Sequence, residues 1–68
     1  MSWSDLPPEL QTAAKTAMTA REFEAYRLWE DGLGYGRIAL VLGISPSTVR
    51  DRIKRGIRKV EAALEIAA

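Results

Sequence analysis

Cysteine and histidine are both missing from this 68-residue chain. The first absence rules out disulfides and thiolate metal sites and fits a reducing compartment. The second removes the commonest zinc ligand and the usual general base. The longest aliphatic run, residues 38–42, is far too short to cross a bilayer. The opening stretch MSWSDLPPEL lacks the basic patch and apolar core of a secretory signal. A soluble, cytoplasmic protein is expected, with no membrane contact, no metal and no cofactor. Strand signals are missing too, because nothing alternates with period two and β-branched residues do not cluster. An enzyme is not expected. The acids stand singly or as near neighbours, as in Glu22-Glu24 and Glu30-Asp31, and read better as helix caps or solvated faces than as an acid–base pair.

What is present is charge, unevenly spread. The net charge is only +1. Residues 1–44 carry four basic and six acidic side chains, a net of −2. Residues 45–60 carry Arg50, Arg52, Lys54, Arg55, Arg58 and Lys59 against Asp51 alone, a net of +5. The tail returns −2 through Glu61 and Glu65. One segment therefore holds the positive field, and a polyanion responds to the local field more than to the total.

Punctuation divides the chain into helices. Pro7-Pro8 suits the first turn of a helix over about 8–18, with Leu10, Ala14 and Ala17 or Met18 on its apolar side. Thr19, with Glu22 three residues on, signals a capping box for a helix over about 20–31, stopped by Gly32. Phe23, Tyr26 or the stem of Arg27, and Leu28 or Trp29 form its apolar side. A short helix over about 35–42 presents Ile38, Ala39, Val41 and Leu42, and Gly43 supplies its left-handed cap. Ser45 then caps a long helix over about 46–65, with Pro46 at its first position. Gly56 interrupts that helix and reads either as a close helix approach or as simple tolerance. The expected fold is all-α, a compact four-helix domain over residues 1–68 with an N-terminal arm at 1–6.

A short helix, a turn begun by glycine and a longer helix make a helix-turn-helix, here over residues 35–60. Ala39 is small where the helices cross, Ile44 plugs the angle, and Val49 and Ile53 hold the second helix down. At about 100° per residue, Val49, Ile53, Ile57, Val60 and Leu64 share one side of the last helix. Ser47, Asp51, Lys54, Arg55 and Arg58 lie opposite, flanked by Thr48, Arg50, Arg52 and Lys59. The major groove of B-form DNA admits one α-helix, whose early residues then meet base edges. Ser45, Ser47, Thr48 and the first-turn amides suit phosphate oxygens. Arg50, Lys54 and Arg55 reach guanine or phosphate. Asp51 either accepts from cytosine or orients the basic side chains around it. Arg58 and Lys59, further along, touch backbone or nothing.

The stretches MTAREFE, GLGYGRIALVLGIS and STVRDRIKRGIRKV, with LPPEL before them, resemble region four of bacterial sigma factors, especially the extracytoplasmic-function group. The likeness covers about residues 6–64. It implies binding to a promoter element through the second helix of the motif, with contacts from Ser45, Ser47, Thr48, Arg50, Arg52 and Lys54. It also implies contact with RNA polymerase. Two departures stand out. Gly34-Tyr35-Gly36 replaces the family's usual hydroxyl, aromatic and small residues, and Arg37 replaces the common acid before Ile38-Ala39, adding a phosphate contact. With no region two among these residues, promoter melting is not expected. A compact regulator encoded by a phage or mobile element fits this pattern.

Single recognition helices usually work in pairs. Ile57, Val60 and Leu64 offer a homodimer seam unless the first helix covers them, and the N-terminal arm with Trp3, or Trp29, offers another. Two rival functions use the same basic face. One is a protein-interaction module that binds polymerase or another regulator. The other is a DNA-recognition subunit of a phage packaging or recombination complex.

Overall fold

A computed structural model describes residues 3–67, so Met1, Ser2 and Ala68 of the expected arm and tail lie outside the described residues. A 3₁₀ turn at Trp3–Asp5 leads into four helices: α1 Pro8–Ala17, α2 Ala20–Glu30, α3 Tyr35–Leu42 and α4 Pro46–Ala67. Among the described residues there is no strand.

Local chemistry sets each boundary. Pro7 and Pro8 open α1, where a missing N–H costs nothing. The capping box at Thr19 forms in full: its hydroxyl accepts the Glu22 amide at 3.1 Å, and Glu22 Oε1 accepts the Thr19 amide at 2.9 Å. At the far end of α2, Gly32 adopts φ 99°, and Leu33 donates its amide back to the Leu28 carbonyl at 3.2 Å. This is a Schellman closure, and it stops the helix at Glu30, one residue short of the expected end. Gly43 closes α3 the same way, with φ 68° and the Ile44 amide on the Ala39 carbonyl at 3.1 Å. Ser45 then caps α4 by accepting the Thr48 amide at 3.2 Å.

α4 is the spine. Its 22 residues span about 33 Å at 1.5 Å each, matching the 35 Å long axis of the molecule. Two apolar clusters line its inner side. One gathers Trp3, Leu6, Ala14, Met18, Tyr26 and Val60, and the other gathers Ala25, Ile38, Ala39, Val49 and Ile53. Ile57 packs against both and joins them. Gly56 faces α2 and the end of α1: a Cβ there would stand 3.2 Å from Met18 Sδ and 3.4 Å from Tyr26 Cβ. Of its two readings, the close approach is the one observed.

Three expectations need correction. Residues 3–6 are not a free arm, because Trp3 and Leu6 belong to the core. Trp3 packs edge-on against Phe23 and Tyr26, with centroids 5.6 and 5.8 Å away. Gln11 Nε2 donates to the Trp3 and Leu6 carbonyls at 3.1 Å each, and the Trp3 amide donates to Glu30 Oε2 at 3.2 Å. Burying an indole repays the ordering of a short N-terminal segment when its backbone polar groups also find partners. Second, the Ile57, Val60 and Leu64 stripe is not left wholly free as a seam: Val60 is buried in the same cluster, and Ile57 and Leu64 pack partly buried against it. Third, Val41 is 60% exposed. Helix α3 buries Ile38 and Ala39 alone, because α2 and α4 flank only one narrow side of it. Of the two alternatives at the end of α1, Met18 is the one buried and Ala17 is exposed, since the chain becomes extended at Met18 and turns that side chain inward.

Candidate nucleic-acid interface

The turn between α3 and α4 leaves the residues expected to meet DNA exposed or half-buried. Val49 and Ile53 are fully buried and pin the first turns of α4 against Ile38, Ala39 and Ala25. With the inner side fixed, Ser47, Arg50, Asp51, Lys54, Arg55 and Arg58 are exposed, and Thr48 and Arg52 are half-buried at the margin. Ser45 is exposed on the turn, and Arg37 is exposed in the first turn of α3.

At the start of α4 three hydroxyls gather. Ser45 Oγ lies 3.1 Å from Ser47 Oγ and 2.8 Å from Thr48 Oγ1. No acidic residue occupies that first turn. The positive end of the helix dipole is therefore left with neutral donors around it, an arrangement that tolerates an incoming anion.

Further along, the cations stand apart from the protein's own acids. Among the described residues the ion pairs are Arg27–Asp31 at 3.6 Å and Lys59–Glu22 at 2.6 Å. Arg37, Arg50, Arg52, Lys54, Arg55 and Arg58 take part in neither. Asp51 pairs with none of the basic side chains that surround it in sequence. A dense row of like charges on one helix costs self-repulsion, and bringing a polyanion to it relieves that cost.

Lys59 behaves differently from the reading of it as a loose end of the charged face. It lies against Glu22, whose carboxylate also closes the capping box. The Lys59 ammonium, with the Thr19 amide behind it, holds the Glu22 carboxyl below the ordinary carboxylate range. Nothing local in the sequence announces this pair, since 37 positions separate its members. The other perturbed group is structural. Burial, then the hydrogen bond its hydroxyl donates to Glu30 at 3.0 Å, pushes the Tyr26 phenol up to about 12.

Among the described residues no group of three or more acidic side chains could hold a metal ion. No helix among them is long and apolar enough to cross a membrane.

The family model for sigma-70, region 4 matches residues 6–60, from the 3₁₀ turn's end through two-thirds of α4. No curated protein and no solved structure matches the chain at a significant level. The matched span contains α3, the glycine turn, the first two-thirds of α4 and every cation of the exposed row. A DNA-binding helix-turn-helix with a part in transcription follows from that match, as does interaction with RNA polymerase, and the family's work is binding rather than catalysis. The chain belongs to the sigma-70 region 4 family.

Proposed function

We propose that the protein recognises a specific double-stranded DNA sequence by laying the first half of α4 in the major groove, and so acts as a small transcription regulator. The observation that supports this most is the row of exposed, unpaired cations on a helix whose opposite side buries Val49, Ile53 and Val60. In this reading residues 1–68 form one binding domain.

Roles follow from position along the helix. Ser45, Ser47, Thr48 and the α4 first-turn amides take phosphate oxygens and set the depth of entry. Arg50 and Lys54, one turn apart and both exposed, read base edges, with guanine the preferred partner. Asp51 between them accepts from a cytosine amino group. Arg52, Arg55 and Arg58 hold the flanking backbone, and Arg37 does so from α3.

A second reading, docking on another protein, is favoured by one observation. Leu40 and Val41 are 85% and 60% exposed on the outer side of α3. An apolar pair of this kind beside a basic helix suits a protein partner such as polymerase.

Selection from a random duplex pool, followed by binding of three variants, separates the two. Arg55→Ala is expected to weaken all duplexes alike and to flatten the salt dependence by about 0.9 in log–log slope. Arg50→Ala and Lys54→Ala are expected to relax the preferred sequence, at about 1–3 kcal/mol each. If all three bind duplexes as the parent does and instead lose a protein partner, the docking reading replaces the first.

A further inference from the structure

The exposed row on α4 stops one residue early. Thr48, Arg52, Arg55 and Lys59 follow one another at spacings of four, three and four, which places them on a single ridge of the helix. Arg52 and Arg55 make no ion pair among the described residues, yet Lys59, next on the same ridge, is bound to Glu22 of α2 at 2.6 Å. We propose that Glu22 withholds Lys59 from DNA phosphate, and so limits sequence-independent affinity in favour of readout by the first turns of α4. The inference rests on the DNA-binding function proposed above.

The geometry makes this a true competition. The Lys59 side chain is 39% exposed, so its ammonium sits at the margin of solvent, within reach of a passing anion. Glu22 is not so placed. Its side chain is 9% exposed, and the oxygen that holds Lys59 also accepts the Thr19 amide. The carboxylate is thus tied into the first turn of α2 and cannot follow the lysine outward. For Lys59 to turn to phosphate, a largely buried carboxylate would have to be left without its cation, which is strongly unfavourable. The ammonium therefore stays, and the phosphate-facing ridge ends at Arg55. Because a nonspecific complex is held almost wholly by phosphate contacts, one cation removed from the ridge is a larger share of its affinity than of a complex that also reads bases.

The test is a salt titration of duplex binding by Glu22→Gln, Lys59→Gln and the double variant, each checked for helicity. Glutamine at position 22 still serves the capping box but carries no charge. Glu22→Gln is expected to steepen the log–log salt slope for a random-sequence duplex by about 0.9 and to tighten it on the order of 5-fold at physiological salt. Adding Lys59→Gln should cancel that gain. Lys59→Gln alone should leave the slope of the parent unchanged. This second arm stands even if Glu22→Gln does not fold. A Lys59→Gln slope that falls as far as that of Arg55→Ala would mean the lysine already touches phosphate, and would overturn the proposal. So would a folded Glu22→Gln protein with the parent's slope. In both cases the parent still binds DNA and only this inference is lost, whereas a parent that binds no duplex removes the DNA-binding reading along with it.

Discussion

At Gly56 a hydrogen stands where any other residue would bring carbon against Met18 and Tyr26. Alanine in a helix interior gains about 1 kcal/mol over glycine. Against this, its methyl would meet Met18 Sδ at 3.2 Å, and methionine's unbranched chain can move aside. Gly56→Ala is therefore expected to change stability by less than about 1 kcal/mol. Gly56→Leu has nowhere to place its branch and should cost about 1–3 kcal/mol, read as a fall in thermal midpoint. A leucine variant as stable as the parent would mean that α4 does not pack closely on α2. The sequence already offered the close approach as one of two readings, since Gly56 lies beside the apolar stripe of α4. Trp3 and Glu22 were harder to read. One lies in a stretch without periodicity, and the other finds its partner 37 positions away, beyond any local pattern.

Among the elements, α4 was the most legible. Its start is written in Ser45-Pro46, its two sides in the spacing of valine, isoleucine and the basic residues, and no breaker ends it before the tail. Helix α3 was the least legible. Over two turns Ile38, Val41 and Leu42 fit an apolar side as well as Ile38, Ala39 and Leu42 do, and only the neighbours decide between them. The junction of α3 with α4 depends on Ile53, fully buried where both meet α2. Ile53→Ala should cost about 2–5 kcal/mol, a large share of the stability of a domain this small. Denaturant unfolding would show it as a lower midpoint with the slope retained. A variant unfolding at the parent's midpoint would contradict the bracing role given to that side chain.

For the molecule as a whole, the arrangement of charge matters more than its sum. A net charge of +1 hides a cationic side built from residues 45–60 and an acidic remainder. The body is 35 × 17 × 16 Å, and α4 runs its length. Arg50, Lys54, Arg55 and Arg58 line the outer side of that helix, and towards its end Val60, Ala63 and Leu64 pack into the Trp3 cluster. In the proposed function, one rod thus serves as reader at one end and as core at the other. The four helices and the turn could be read from residue types, because caps and breakers act locally, and the family from the stretches that resemble it. What covers the rear of α4 could not, because it depends on which distant segments fold back. The most direct measurement of this account is a map of backbone amide shifts as a selected duplex is added to the protein. Changes should concentrate at residues 45–58 and at Arg37, with α1 and the Trp3 cluster unmoved. Shifts confined to α1, or to Leu40 and Val41, with residues 45–58 silent, would contradict it.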